Sequence, residues 1–165
     1  MEPSKLAVLK DKFGDKLRVA AMAAIVKPDG GVRPLHDATH SVMVNHAITY
    51  RDQLQCPGPA EVGTVVREAV ESREAPFCVS ADIRAAHRLV KIREADWPYI
   101  CCRSDSNSET VWINKTGKFG VSSAPYWWSK LFAAVGRFVG HVLQSSVFWH
   151  MVYVDDLHGA FTGRS

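Results

Sequence analysis

Two adjacent carboxylates, Asp155 and Asp156, follow an apolar stretch late in the chain. Residues 147–154 are mostly β-branched, aromatic or otherwise apolar, and a second short apolar run, residues 157–161, comes directly after the acids. This pattern predicts a buried strand that turns tightly into another strand, with the acids at the tip of the hairpin. Because like charges held side by side repel each other, and because Mg²⁺ prefers oxygen ligands, the tip is a candidate magnesium site. An isolated acidic pair is more often a solvated turn, so the rest of the chain has to support this interpretation.

A third carboxylate, Asp82, stands in a comparable place. Residues 77–81 follow Pro76 as a short apolar run that predicts a buried strand, and Asp82 lies at its end. This placement mirrors the strand that ends at Asp155, and divalent cations bind carboxylate oxygens that come together from two strands. We therefore expect Asp82 and Asp155 to lie close together, although 72 residues separate them.

Two cations flank a predicted turn in the N-terminal part of the chain. Residues 19–26 and 32–35 are extended in pattern, and the turn sequence 27–31 joins them as a second hairpin. Lys27 and Arg33 stand on either side of this turn. They could converge on an anionic ligand such as a triphosphate, or they could simply be solvated charges.

Helical patterns occupy two further stretches. Residues 60–73 carry valines and alanines at helical spacing, which predicts an amphipathic helix that packs on a core. Ser123 suits the N-cap and Pro125 the first turn of a longer helix, whose wide apolar face is expected to lie under a sheet. Strands are predicted at 99–103 and 109–114, and residues 1–18 show only a weak pattern and predict a frayed lead-in.

Composition sets broad limits on function. The chain has 165 residues and a formal charge of +3, so it can form one domain, and nucleic-acid binding is compatible with its charge. Its four cysteines form no C-x-x-C pair, which favours reduced thiols and an intracellular location. His36, His40 and His46 lack cysteines at ligand spacing and are not expected to bind zinc. No apolar run approaches the length of a membrane span, and no membrane association is expected.

Four stretches occur in one order: the Lys/Arg hairpin, the strand that ends in Asp82, the segment Gly120-Val121-Ser122-Ser123-Ala124-Pro125, and Tyr153-Val154-Asp155-Asp156. From about Ala24 to Phe161 this order resembles the fingers and palm of retroelement reverse transcriptases. The resemblance implies an α/β (α+β) fold with an antiparallel palm sheet backed by helices and a fingers-like N-terminal part. It implies a single domain fragment, 1–165, in which 1–75 and 97–116 are fingers-like and 76–96 and 117–165 are palm-like.

The resemblance also implies an activity and its ligands. The chain would be an RNA-directed DNA polymerase with Mg²⁺, or alternatively Mn²⁺, as cofactor. An RNA or DNA template-primer and deoxynucleoside triphosphates would be its partners. Asp37 and Asn45 match a polar part of the fingers without an assigned role. The residues that match catalytic and metal-binding positions are Asp82, Asp155 and Asp156, and those that match substrate-binding positions are Lys27, Arg33, Ile83, His87, Gly120, Ser122 and Ser123.

The chain departs from the family pattern at three places. His87 stands where the family usually has the Phe or Tyr that excludes a ribose 2′-hydroxyl; it is either a weaker sugar gate or a packed histidine. Lys118 replaces a Pro or Gln that precedes Gly120 by two residues. The chain ends nine residues after Asp156, so the fragment is expected to be truncated before the thumb, with any ribonuclease H and integrase parts elsewhere.

Two alternatives follow from these departures. The chain could be a catalytically inactive retroelement remnant or a domesticated nucleic-acid-binding module. It could also be a small interaction domain whose acids are surface turns. Binding of divalent ions and primer extension distinguish these alternatives from the polymerase.

Overall fold

The computed structural model describes residues 1–71, 73, 76–143 and 148–162. It is a mixed α/β structure with antiparallel sheets and helices, so the expected α+β class is confirmed at this level. The chain divides into two compact units. The first unit comprises Met1–Arg51 and His87–Pro125, and the second unit comprises Asp52–Ala86 and Tyr126–Ser165.

The elements follow one another in short segments. The strands are β1 (Glu2–Lys5), β2 (Val19–Val26), β3 (Val32–His36), β4 (Pro76–Asp82), β5 (Cys101–Arg103), β6 (Thr110–Ile113), β7 (Phe148–Tyr153) and β8 (Asp156–Thr162). The α-helices are α1 (Leu6–Phe13), α2 (Val44–Ala47), α3 (Pro59–Glu71) and α4 (Ser123–Leu143), and short 3₁₀ helices cover Gly14–Lys16, Ala86–Leu89 and Glu94–Ile100.

The first unit is built on a five-stranded sheet in the order β1-β6-β5-β2-β3. Its strand pairs are antiparallel except for β2 and β5, which run parallel. The predicted hairpin at 19–35 is confirmed as β2 and β3. The predicted strands at 99–103 and 109–114 are confirmed as the shorter β5 and β6, because the 3₁₀ helix Glu94–Ile100 takes up the start of the first.

Residues 1–18 do not form a frayed lead-in, and that prediction is wrong. β1 pairs with β6, and α1 places Leu6, Leu9 and Phe13 on one side of the helix at steps of three and four residues. Leu9 is only 2% exposed and packs with Cys101, Val111 and Ile113 in the core of the first unit. The weak sequence pattern conceals these contacts because the helix has only eight residues.

The second unit contains a three-stranded antiparallel sheet in the order β4-β8-β7. The predicted hairpin with acids at its tip is confirmed as β7 and β8. β4 was expected to be buried, and this is wrong, since Phe77 is 54% and Val79 is 49% exposed. β4 and β7 are the two edges of this sheet, and α4 meets it at β7, where His150 lies against Gly136.

The helices of the second unit are also less covered than their patterns predict. In α4, Trp128 is 2% exposed, but Phe138 is 66% exposed, so the wide apolar face is not all core. In α3, the alanine Ala69 is buried, whereas Val66 and Val70 are exposed. A helical pattern identifies an apolar face but not what packs on it. Residues 144–147, where the strand before Asp155 was expected to begin, and residues 72, 74 and 75 lie outside the described residues.

Across the described part of the chain, we find no helix whose length and apolar character would let it cross a membrane.

Candidate functional site

The acidic hairpin has a strained two-residue turn. Tyr153 pairs with Asp156, so Val154 and Asp155 form the turn between β7 and β8. The φ angle of Val154 is 59°, in the left-handed region, where a β-branched residue is a genuine outlier. The left-handed conformation costs an L-residue roughly 1–2 kcal/mol. The turn therefore needs contacts elsewhere in the fold to keep it in this shape.

Two donors from different elements hold the turn. The indole N–H of Trp128, in α4, donates a hydrogen bond to the carbonyl of Val154. The backbone N–H of Ile83, just after β4, donates to the carbonyl of Asp155 over 2.9 Å. A hydrogen bond contributes about 1 kcal/mol net, so the two together can offset the strain at Val154.

Asp82 lies beside this turn. In the register of β4 and β8, Asp82 is the direct partner of Asp156, so both side chains leave the same face of the sheet. Cβ atoms of such partners are about 4.5–5.5 Å apart. Asp82 therefore lies close to the acidic turn. Asp156 is its direct partner on the adjacent strand, and Asp155 is in the turn itself.

The three carboxylates differ in their surroundings. Asp82 and Asp156 are exposed, and Asp155 is half-buried. In the side-chain positions of the described residues, no three or more His, Cys, Asp or Glu groups come together to hold one metal ion. The backbone thus brings three carboxylates to one end of the sheet, but their side chains do not converge on a single metal-binding position.

A polar pair that the sequence pattern did not reveal lies two residues further along the same face of the sheet. Ser80 Oγ and His158 Nδ1 lie 2.9 Å apart, and the two residues are register partners. Ser80 precedes Asp82 by two positions and His158 follows Asp156 by two, so the period of two in strands could have found them. They extend the polar surface that begins at the acids.

In the first unit, the two cations predicted to bind a triphosphate lie on the β2–β3 hairpin. Lys27 closes the turn, donating its N–H to the carbonyl of Gly31 over 2.8 Å, and Arg33 pairs with Ile25. Both are exposed. The Arg33 guanidinium lies 4.9 Å from the centre of the Phe119 ring, a cation–π contact that orients its side chain.

His87 also packs against Phe119. Its ring centre lies 5.0 Å from that of Phe119, and the residue is 8% exposed. Phe119 therefore contacts both Arg33 and His87 in the first unit. The packing matches the alternative in which His87 is a packed histidine, and a contact with the sugar of a nucleotide stays a prediction.

The loop that carries Gly120 is fixed by the chain's own backbone. Gly120 has φ of 96°, and a Cβ there would lie 1.8 Å from the carbonyl oxygen of His36. Asn45 donates to the carbonyl of Gly120 over 2.8 Å and accepts from the N–H of Ser122 over 2.9 Å. These contacts account for Asn45, Gly120 and Ser122 as structural residues. The predicted helix is α4, which begins at Ser123 itself, one residue earlier than an N-cap at this serine would place it.

Asp37 likewise shapes a local turn. Its carboxylate accepts hydrogen bonds from the backbone N–H groups of His40, over 3.0 Å, and Thr39, over 3.1 Å. The backbone hydrogen bond from His40 is the main cause that lowers the pKa of Asp37. Asp37 therefore has a structural role in the turn at 37–40.

Lys118 lies inside the first unit and is only 3% exposed. Its amine lies 3.0 Å from the sulfur of Met1, 3.8 Å from that of Met22 and 3.9 Å from that of Cys102. Burial is the main cause that lowers the pKa of this amine. Lys118 thus places an amine in the interior of the first unit.

Comparison of the chain with protein-family models gave no match, and comparison with curated proteins gave none either.

Proposed function

We propose that the chain carries the catalytic carboxylates of an RNA-directed DNA polymerase of the reverse transcriptase type. The observation that supports this most directly is the placement of Asp82, Asp155 and Asp156 at one end of the sheet β4-β8-β7. The proposed reaction is the addition of a deoxynucleotide to the 3′ end of a primer, directed by an RNA or DNA template.

The donor set suits a divalent metal. Carboxylate oxygens are hard ligands that Mg²⁺ prefers, and the two strands together with the turn supply three of them. Two bound ions would lower the pKa of the attacking 3′-hydroxyl and neutralise the leaving pyrophosphate. Asp82 and Asp155 are the proposed shared ligands, with Asp156 as the supporting acid.

The chain's own residues would contribute mainly by positioning. Phosphoryl transfer needs the attacking and leaving oxygens in line, so most of the catalysis comes from orientation and charge. Ile83 and the strand register keep the acids at fixed places on the sheet. In the first unit, Lys27 and Arg33 are the proposed contacts of the triphosphate.

Binding of Mn²⁺, followed by electron paramagnetic resonance, and template-directed primer extension test this proposal. We expect the parent chain to bind Mn²⁺ but to show little or no extension by itself, and expect Asp82→Asn and Asp155→Asn to lose the Mn²⁺ binding. In a version that carries a primer-binding thumb, the same two substitutions should abolish extension. Mg²⁺ should raise the melting temperature of the parent but not that of Asp155→Asn, because a bound ion stabilises the folded state by mass action. Asp11→Asn is the matched control, since Asp11 is an exposed acid of the first unit.

The results can contradict the proposal in two ways. Equal Mn²⁺ binding by the parent and both variants would show that the acids hold no ion. Template binding without extension by the version that carries a thumb would favour the domesticated nucleic-acid-binding module instead.

A further inference from the structure

The feature that remains unexplained by the proposed chemistry is how the Val154–Asp155 turn keeps its shape. The non-glycine residues with positive φ in the described chain are Ser41, Met43, Arg73, Ala85 and Val154, and Val154 alone among these is β-branched. Glycine would take this conformation without steric cost, so the strain comes from the valine side chain. A strained residue persists only when the surrounding structure over-determines it.

Trp128 is placed to supply that constraint. It is 2% exposed, and its ring stacks on Phe132 with ring centres 5.0 Å apart. The ring therefore has little freedom to move, and its N–H points at the carbonyl of Val154. An indole has a single N–H donor and no acceptor, so its hydrogen bond is the one it donates to this carbonyl.

The next carbonyl of the turn has its own donor. Ile83 donates to Asp155, so consecutive carbonyls of the turn are held by α4 on one side and by the end of β4 on the other. The residue that follows, Asp156, is the direct partner of Asp82. A change of the Val154 peptide plane would move both Asp155 and Asp156.

We propose that Trp128 is a positioning residue for the acidic site, and that its indole N–H holds the strained Val154–Asp155 turn in the conformation that presents the carboxylates. The role in metal binding rests on the proposed function, whereas the control of the turn does not. Trp128 contacts neither substrate nor metal in this proposal.

The test compares Trp128→Phe with Trp127→Phe in the full chain. Phenylalanine keeps an aromatic ring against Phe132 but removes the N–H, and Trp127, which is 57% exposed, is the matched neighbour. We expect Trp128→Phe to weaken Mn²⁺ binding and to speed hydrogen exchange of the Ile83 amide, each about fivefold, as the loss of one hydrogen bond predicts. Trp127→Phe should change neither.

A second substitution separates the turn from general packing. Val154→Gly in the Trp128→Phe background should restore most of the Mn²⁺ affinity and the protection of Ile83, because glycine needs no help to adopt positive φ. If the double variant stays as weak as Trp128→Phe, Trp128 acts through packing and the inference is wrong. If Trp128→Phe leaves the Ile83 exchange unchanged, the inference is also wrong. Absence of Mn²⁺ binding in the parent would contradict the proposed function, while the exchange measurement would still decide the role of Trp128.

Discussion

At the scale of single residues, the first unit has a buried polar cluster whose protonation should govern its stability in acid. His36 is 1% exposed, and its Nδ1 accepts a hydrogen bond from the Asn114 amide over 3.1 Å. Its Nε2 has no hydrogen-bond partner among the described residues. Burial, and then the charge of Lys118, lower the pKa of His36 from 6.5 to about 4. The folded state thus strongly prefers the neutral imidazole.

We expect the free energy of unfolding to fall as the pH drops from 6.5 to about 4. Above pH 6.5 the His36 imidazole is neutral in both the folded and the unfolded chain, so it takes nothing from the free energy of unfolding. Within this pH window the unfolded chain binds a proton that the folded chain rejects, which costs about 1.4 kcal/mol per pH unit and on the order of 3 kcal/mol in total. Urea unfolding at a series of pH values measures the slope.

The variant His36→Gln checks the source of this slope. Glutamine offers Asn114 an acceptor but gains no proton, so the decline in stability over this window should be shallower. His46→Gln, at an exposed histidine, is the control and should keep the parent's slope. Parallel slopes for all three proteins would show that His36 is not responsible.

At the scale of elements, the two long helices of the second unit differ in how closely they are packed. Gly63 in α3 has open space around it, since no atom lies within 4 Å of a Cβ built there. Gly136 in α4 has the ring of His150 against it, and a Cβ would lie 2.0 Å from Nε2 of that ring. A side chain at position 136 therefore requires the His150 ring to move, whereas one at position 63 meets no other atom.

We expect Gly63→Ala and Gly136→Ala to change stability in opposite directions. Alanine favours a helix over glycine by up to about 1 kcal/mol, so Gly63→Ala should raise the free energy of unfolding. In Gly136→Ala the His150 ring must move, and overpacking of this kind typically costs about 1–3 kcal/mol, which exceeds the helical gain. The shift of the urea midpoint measures both effects, and stabilisation by Gly136→Ala would refute the close packing of α4 on β7.

At the scale of the whole molecule, buried apolar surface is concentrated in the first unit. Leu9, Cys101 and Val111 are at most 2% exposed there. In the second unit, Phe138 and Val70 expose 66% and 70% of their surfaces. Local stability follows the density of buried contacts, so the two units should open at different free energies.

Hydrogen exchange followed by mass spectrometry should reveal this difference. Amides of β5 and β6 should exchange slowest, because these strands carry the core of the first unit. Amides of α3 should exchange much faster, since its buried residue is an alanine and its valines are exposed. Exchange of α3 as slow as that of β6 would contradict this order.

The sequence by itself predicted elements whose signals are local. Local patterns predicted the β7–β8 hairpin, the β2–β3 hairpin and a helix that starts near Ser123. Turn residues and side-chain periodicity depend only on neighbours in the chain, so a sequence shows them directly. Their patterns also singled out Asp82 and the Asp155–Asp156 pair as carboxylates at strand ends.

Tertiary structure alone decided which of these groups meet and what is buried. The pairing of Asp82 with Asp156 depends on the register of strands far apart in sequence, and the bond from Trp128 to Val154 depends on where α4 docks. Exposure of β4 and burial of Lys118 were unpredictable for the same reason. A sequence pattern states which side of an element is apolar, but the neighbour that covers that side is chosen by contacts between distant segments.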